Sequence, residues 1–286
     1  MAAGTLYLVA TPIGNLEDIT LRALRVLKEV DRIACEDTRR TAKLLNHFGI
    51  TTPSESYHAH NEASRTPRLV ELLRQGRSVA LVSDAGTPLV SDPGHRLVAA
   101  CRQEGIAVVP VPGPVAAVAA LVGSGLPSES FYFAGFLDSR RTVRRRQLTD
   151  VAAIPATLIF YEAPHRTVAA LEDMCAVLGP RDACLARELT KLHEEWLRGT
   201  LCEILDVVKA RPRIDGEVTI VVAPPAPARP AQESFTDSIE EHLRQEMLRT
   251  GASRKEALRA VARQRGISRR AAYQALLGKG PGGERS

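Results

Sequence analysis

One loop constrains the fold of this chain more than any other segment. The apolar run from residue 78 to residue 82 predicts a buried strand, and a helical pattern resumes at His95. Between them the sequence SDAGTPLVSDPG is longer than the usual strand-to-helix connection of about 2 to 6 residues. Glycine lets a backbone approach a bound molecule, and proline stiffens its path. We therefore interpret the segment as a ligand-binding loop, with an ordinary connection as the alternative.

A second loop of the same character opens the chain. Residues 5–10 (TLYLVA) predict a buried parallel strand, and residues 11–18 (TPIGNLED) lead into an amphipathic helix. In open α/β sheets ligands collect at the carboxyl ends of the strands, so both loops would face one crevice. Neither loop contains G-x-G-x-x-G or G-x-x-x-x-G-K-[ST]. This absence argues against a dinucleotide or nucleoside triphosphate site.

The pattern of apolar runs divides the chain into four parts. Residues 1–112 alternate apolar runs with helical patterns, which is typical of βα units in a mainly parallel sheet. Residues 113–223 predict a second α/β domain, and residues 224–233 form a Pro-rich linker. Residues 234–286 predict a small helical C-terminal tail. The expected fold class is α/β, with two α/β domains followed by this tail.

Positive charge is concentrated in two places. Five arginines lie between residues 140 and 146, and ten Lys and Arg stand against two Glu from residue 244 to residue 279. Such local charge attracts phosphate backbones, although a solvated basic surface is the alternative. In the tail, helical patterns at 254–264 and 269–277 flank a short turn and resemble a helix-turn-helix, in which Arg269 and Arg270 would approach nucleic acid. A dimerisation or docking tail remains the other interpretation.

Composition narrows the class of protein. The 286 residues are 44% hydrophobic and 25% charged, as in globular enzymes, and no apolar stretch approaches 18 residues. The five cysteines lack C-x-x-C spacing, and no His, Cys and carboxylate set has metal-site spacing, so we expect buried thiols and no metal. With no signal-peptide pattern, the expected location is the cytoplasm.

Six ordered motifs together resemble the tetrapyrrole-methylase superfamily. They are LVATPIGNLEDIT (8–20), ACEDTR (34–39), HNE (60–62), SDAGTPLVSDPG (83–94), VPGPVAAVAAL (111–121) and FYEAPHR (160–166). The resemblance runs from about residue 5 to residue 223 and resumes weakly after residue 234. It implies S-adenosylmethionine as cofactor, bound in a cleft between two α/β domains, and a homodimer. Within the superfamily the motifs are most similar to the branch that methylates a cytidine 2′-hydroxyl in the decoding centre of 16S rRNA, as free RNA or in the assembled small subunit.

The resemblance also implies cofactor-binding positions. Those that match the family's motifs are Pro12, Gly86, Val90, Val115, Ala116, Glu162 and Leu189. The chemistry of the long loop adds Ser83, Asp84, Thr87, Ser91 and Asp92.

The acceptor side needs a base, because a ribose hydroxyl is a poor nucleophile at neutral pH. Glu36 and Asp37 follow the second predicted strand at the same edge as the ligand loops, so we expect one of them to act on the acceptor. The alternative is that they cap the helix beginning near Thr38. Further RNA-contacting candidates are Asn15, Arg39, His60, Asn61, Glu62, Arg140, Arg141, Arg144, Arg145, Arg146, Arg269 and Arg270.

Two other functions remain open on these residues. A tetrapyrrole C-methyltransferase of the sirohaem or cobalamin branch would share the fold and cofactor. A non-catalytic RNA-binding protein could also have kept the fold. The ACEDTR and HNE motifs and the basic tail favour RNA as substrate, and two intact cofactor loops favour an enzyme.

Overall fold

The computed structural model of the chain describes residues 3–226 and 237–277. They fall into two compact units, one up to Pro225 and one from Ala226 onward, which are described separately here. The linker predicted at 224–233 lies largely outside the described residues, as do the start of the tail at Ser234 and everything after residue 277.

The first sheet is entirely parallel. Its strands are β1 (Thr5–Val9), β2 (Arg32–Cys35), β3 (Ser54–Ser56), β4 (Val79–Val82) and β5 (Ala107–Val111), in the order β3-β2-β4-β1-β5. Its helices are α1 (Leu21–Glu29), α2 (Thr38–His47), α3 (Glu62–Arg74) and α4 (His95–Gln103). The predicted parallel sheet is confirmed, with one addition. Strand β3 was not predicted, because Ser-Glu-Ser at the sheet edge shows no apolar run.

Alternation along the central strand explains the layers of this sheet. Successive strand side chains point to opposite faces, and all four residues of β4 are buried. Ala80 and Val82 pack in the core that contains Leu27 of α1, whereas Val79 and Leu81 pack with Leu69 of α3. Because both faces are covered by helices, the strand is apolar throughout and ligands have access only at the strand ends.

The second sheet is mixed. Its elements are α5 (Ala116–Ser124), β6 (Phe131–Phe136), α6 (Arg141–Val151), β7 (Thr157–Glu162), α7 (Thr167–Leu178), β8 (Asp182–Arg187), β9 (Glu195–Thr200), α8 (Leu201–Lys209) and β10 (Val218–Val222). The strand order is β6-β7-β10-β8-β9, in which only β6 and β7 are parallel. Phe160 packs with Leu171 of α7 on one face, and Ile159 packs with Ala120 of α5 on the other.

Residues 237–277, the described part of the second unit apart from Ala226, contain three helices: α9 (Ile239–Thr250), α10 (Arg254–Gln264) and α11 (Arg269–Leu276). They share a small core of Leu243, Leu258, Val261 and Ala272. The predicted caps are confirmed: Glu256 accepts from Ser253 N at 3.1 Å, and Ser268 accepts from Ala271 N at 3.1 Å. The turn between α10 and α11 leaves Arg269 and Arg270 exposed at the start of the last helix.

The arginine cluster at 140–146 corrects one sequence-based assignment. Arg144 is buried, with 6% of its side chain exposed, and its guanidinium lies 2.7 Å from the buried carboxylate of Asp173. Its assignment to an RNA-binding surface is therefore wrong. Nε of Arg141 and Nε of Arg145 lie 3.2 and 3.0 Å from Oδ1 of the same carboxylate, and both side chains stay exposed.

Within the described residues, no helix has the length and apolarity needed to span a membrane.

Candidate active site

A large cleft opens at the carboxyl ends of the first sheet, as the two loops predicted. Its volume is about 860 Å³, and residues of both sheets line it. Hydrogen bonds fix the two ligand loops to each other: Thr11 N donates to Gly86 O at 2.9 Å, and Gly86 N donates to Thr11 O at 3.0 Å. Thr11 Oγ1 also donates to Ser83 O at 3.0 Å. These hydrogen bonds fix the relative position of the two loops at the cleft.

Most of the predicted cofactor positions lie on this cleft. They are Asp84, Gly86, Thr87, Val90, Ser91, Asp92, Val115, Ala116 and Glu162. Three others do not line it. Pro12 and Ser83 face a smaller neighbouring cavity, and Leu189 is buried against the α5 side of the second sheet.

Ser83 has a structural role in the long loop. Its hydroxyl donates to the Asp92 carboxylate and accepts from Ala85 N at 3.2 Å, so it ties the two ends of the loop together. Gly86, within the loop, has a φ of +85°, in the left-handed region that favours glycine. A Cβ at this position would lie 3.3 Å from Cγ2 of Ile13. The loop therefore requires glycine for backbone conformation and for space.

Glu162 forms the far wall of the cleft. Its carboxylate is buried and lies 2.7 Å from Nη2 of Arg166. The same oxygen accepts from Ala163 N at 2.8 Å.

One part of the cleft contains three interacting carboxylates, those of Glu36, Asp84 and Asp92. Glu36 ends β2, and burial raises its pKa, with the charges of Asp84 and Asp92 adding to the effect. Burial likewise raises the pKa of Asp92, against the lowering effect of its hydrogen bond from Ser83. A carboxylate with a raised pKa is a stronger base than an ordinary one. Glu36 therefore has the properties expected of a proton acceptor.

Asp37 has a different environment from Glu36, although the two are adjacent in sequence. Its side chain accepts from Arg39 N at 2.8 Å and so caps α2. The Arg39 side chain also contacts it, with Nη2 2.7 Å from Oδ2, and this pair holds the pKa of Asp37 far below its usual range. The capping interpretation thus accounts for Asp37, whereas Glu36 makes no capping contact.

The structure separates the predicted acceptor residues into two groups. Arg39 and His60 line the cleft, but Asn15 and Asn61 do not. Asn15 caps the short turn at 16–18, since Glu17 N donates to its Oδ1 at 3.0 Å. Glu62 begins α3 and lies 3.6 Å from Arg96.

Asn61 instead orients a residue that the sequence analysis missed. Asn61 Oδ1 accepts from His58 N at 2.8 Å, so the Asn61 amide nitrogen faces His58 Nε2 at 3.2 Å. The Asn61 amide nitrogen is a donor, so His58 Nε2 is the acceptor in this contact. His58 and Ser56 line the cleft beside Glu36. Ser56 ends, and His58 follows, the polar edge strand β3, which the sequence does not reveal as a strand.

Other cleft residues also lacked a clear signal in the sequence. Tyr161 and Thr219 come from strands β7 and β10 of the second sheet, and Arg40 follows the predicted Arg39. Tyr161 Oη accepts from Ala117 N at 3.0 Å and so joins β7 to α5. The sequence feature that pointed to Tyr161 was its position in the FYEAP motif. Across the residues described, no group of three or more His, Cys, Asp or Glu is arranged to hold a metal ion.

Comparison with known proteins gives a consistent result. The family model for tetrapyrrole (corrin/porphyrin) methylases matches residues 5–205. Ribosomal RNA small subunit methyltransferase I of Halalkalibacterium halodurans is 50% identical over 272 residues, covering 94% of this chain and 93% of that protein. The protein of the same name from Escherichia coli O157:H7 is 52% identical over 221 residues, 77% of each chain.

Solved structures agree at the level of the fold. Uroporphyrin-III C-methyltransferase from Thermus thermophilus, complexed with S-adenyl homocysteine, superposes with a TM-score of 0.53. The match covers 77% of this chain and 97% of that one at 22% identity. At this identity the likeness supports the α/β architecture described above and nothing finer.

Proposed function

The chain belongs to the tetrapyrrole (corrin/porphyrin) methylases, and from this premise we propose that it methylates the 2′-hydroxyl of a cytidine in the decoding centre of 16S rRNA. It is an S-adenosylmethionine-dependent methyltransferase. The observation that carries the choice of substrate is the match, over nearly the whole chain, to proteins named ribosomal RNA small subunit methyltransferase I. The cytoplasm, where ribosomes are assembled, is the corresponding location.

The cleft fits S-adenosylmethionine in size and in chemistry. Small-molecule sites are typically about 300 to 1,000 Å³, and this cleft has about 860 Å³. The cofactor carries a sulfonium and an ammonium group, which carboxylates such as Asp84 and Glu162 complement. Gly86 also lines the cleft, and a Cβ on it would lie 3.3 Å from Cγ2 of Ile13, another residue of the lining. Val90, Val115 and Ala116 provide apolar and backbone surface around it.

When bound, S-adenosylmethionine supplies a methyl group on a positively charged sulfur. The protein's task is then to hold the acceptor oxygen in line with that methyl group, to exclude water and to receive the hydroxyl proton. We assign the role of proton acceptor to Glu36, because burial and two neighbouring carboxylates raise its pKa. Ser56 and His58 line the same part of the cleft and would position the nucleotide.

The mouth of the cleft favours a phosphate-bearing substrate. Arg39 and Arg40 are exposed there, with 88% and 65% of their side chains accessible. Arg39 is held by Asp37, so its guanidinium is oriented before the substrate arrives. Pre-ordered arginines suit phosphate recognition, because less rotamer freedom is lost on binding.

The assembled small subunit is the substrate form that we propose, since a decoding-centre nucleotide is shaped by its ribosomal surroundings.

A second copy of the chain is the remaining proposed partner. Strand β6 is an edge of the second sheet, and Phe131, Tyr132 and Phe136 on it are 48%, 43% and 50% exposed. Large aromatic side chains at an unpaired sheet edge are typical of an interface. The homodimer that the family resemblance implies would cover them. Light scattering of the wild-type chain and of Phe131→Lys would test this, with dissociation expected for the variant.

The proposed reaction is tested by comparing two neighbouring carboxylates. Small subunits are isolated from cells that lack the enzyme, incubated with protein and labelled cofactor, and the methylated nucleotide is mapped by mass spectrometry. We expect one ribose methyl on a cytidine. Glu36→Gln should lower kcat by about 10² to 10⁴, the usual contribution of a general base, and should leave cofactor affinity unchanged.

Asp37→Asn is the matched control, because asparagine also caps helices and the change leaves Glu36 in place. We expect its kcat to stay within a few-fold of wild type. A loss of activity in Asp37→Asn alone would transfer the role of base to Asp37. A base methyl, or no RNA methylation by the wild-type protein, would refute the proposed function.

A further inference from the structure

We propose that a second cavity beside the large cleft binds the phosphate and ribose of an RNA nucleotide adjacent to the one that is methylated. This inference rests on the proposed function and adds a binding site to it. The cavity has a volume of about 270 Å³ and lies between the first ligand loop, helix α2 and the long loop. Asp84, Ala85 and Arg40 border both cavities, so an RNA strand can occupy the two at once.

Three cations line this second cavity: Arg40, Lys43 and Lys191. Two of them already have carboxylate partners. Lys191 Nζ lies 2.7 Å from Glu188 and 3.3 Å from Glu217, and Arg40 lies 3.6 Å from Asp84. Their charges are therefore partly neutralised before any ligand binds.

Lys43 differs from the other two. It is exposed on α2, and within 3–226 and 237–277 no carboxylate lies within ion-pair distance of it. A lysine of this kind is a mobile point charge that suits a phosphate group. Among the described residues that line this cavity, Lys43 therefore supplies the positive charge that has no carboxylate partner.

The rest of the cavity is small, and two of the loops that border it are joined by a hydrogen bond. Asn15 N donates to Thr190 Oγ1 at 3.0 Å, which holds the first ligand loop against the loop at 188–191. A Cβ on Gly14 would lie 2.4 Å from Lys191 Cγ, so the two loops approach as closely as glycine permits. The apolar floor consists of Pro12, Ile13 and Leu44. This volume suits a sugar-phosphate unit, whereas the large cleft must hold a cofactor and an acceptor nucleotide.

A cavity with an apolar floor and, among the described residues, one lysine that lacks a carboxylate partner favours a compact monoanion whose C–H groups can pack on that floor. The phosphodiester and ribose of one RNA residue have this chemistry. Because such a contact reads the backbone, it fixes the register of the strand and contributes no base specificity.

The test uses the salt dependence of KM for small subunits that lack the modification. Removing one phosphate contact lowers the slope of log affinity against log salt by about 0.7 to 0.9. The electrostatic contribution of one phosphate contact is lost at 1 M salt. Over the tenfold change from 1 M to 0.1 M salt, this slope therefore corresponds to an affinity difference of about five- to eight-fold. Lys43→Ala should therefore raise KM five- to eight-fold at 0.1 M salt, with unchanged cofactor affinity and kcat. Lys43→Arg should restore most of the affinity.

Lys28→Ala is the matched control, because Lys28 is also an exposed helical lysine but lines neither cavity. We expect its KM and salt slope to equal those of wild type. If Lys43→Ala behaves like Lys28→Ala while the wild-type protein methylates the subunit, the second cavity does not bind RNA and the proposed function stands. If the wild-type protein transfers no methyl group to the subunit, both the function and this site are refuted.

Discussion

Replacement of Gly86 by valine tests how the long loop forms the cofactor site. At a φ of +85° a residue with a Cβ costs roughly 1 to 2 kcal/mol. The new Cβ would also lie 3.3 Å from Ile13 Cγ2 and 3.6 Å from Pro114 O, so the loop must shift by a few tenths of an ångström. Overpacking of this kind costs about 1 to 3 kcal/mol more. We expect Gly86→Val to lower the free energy of unfolding by about 2 to 5 kcal/mol.

The same shift should weaken cofactor binding. Gly86 lines the cleft, and its N–H and C=O both bond to Thr11, so a displaced loop moves one wall of the site. We expect the Kd for S-adenosylmethionine, measured by calorimetry, to rise at least tenfold, which is about 1.4 kcal/mol. Urea unfolding of the same samples gives the change in stability.

Gly49→Val separates backbone strain from the ligand site. Gly49 has a φ of +60°, nothing lies within 4 Å of its Cβ position, and it follows α2 outside the cleft. We expect a loss of about 1 to 2 kcal/mol in stability and no change in Kd. A folded Gly86→Val protein with the wild-type Kd would show that the long loop does not form the cofactor site.

Three further predictions concern charge. Asp173→Asn should cost about 3 to 5 kcal/mol of unfolding free energy in urea, because it leaves the buried Arg144 without its carboxylate. The acid limb of kcat/KM against pH should lie above the range of an ordinary glutamate and disappear in Glu36→Gln. As the pH falls through its raised pKa, Glu36 gains a proton and can no longer accept one. In the full chain, Arg269→Ala with Arg270→Ala should reduce the salt slope for subunit binding by up to about 2 and leave cofactor affinity unchanged.

Each of these predictions has its own control or contrary outcome. Arg146→Ala is the control for Asp173→Asn. It removes an exposed arginine from α6, the helix that carries Arg144, and should change the free energy of unfolding by less than about 0.5 kcal/mol. An acid limb that persists in Glu36→Gln would assign the titration to another group. Equal salt slopes for the wild-type protein and the α11 double variant would favour the docking or dimerisation interpretation of the tail.

Parts of the site could be predicted because they lie next to strong local signals. Strands β1 and β4 are apolar runs, and the glycines and prolines after them indicate loops that serve a ligand. Most cofactor positions follow from those loops. By contrast, β3 is Ser-Glu-Ser at a sheet edge, where pairing with β2 replaces the apolar pattern. Ser56 and His58 were missed for this reason.

The remaining differences depend on contacts between distant residues. Arg144 and its neighbours form a basic run, and the sequence does not indicate that Asp173, 29 residues later, buries one of them. Glu36 and Asp37 are equivalent candidates in one dimension. They are distinguished by burial, which raises the pKa of Glu36 with the charge of Asp84 in the long loop adding to the effect, and by the direction of the Asp37 side chain toward α2.

The placement of β3 has a consequence for redesign of the enzyme. The residues that we propose to contact the methyl donor lie mainly in loops after buried central strands, whereas Ser56 ends, and His58 follows, a three-residue strand with no fully buried side chain. Exchange of residues 54–61 therefore disturbs little of the core apart from Tyr57. Variants that methylate other alcohols could be selected from a library in which this segment is randomised. The residues proposed to bind the cofactor would stay unaltered in every member of that library.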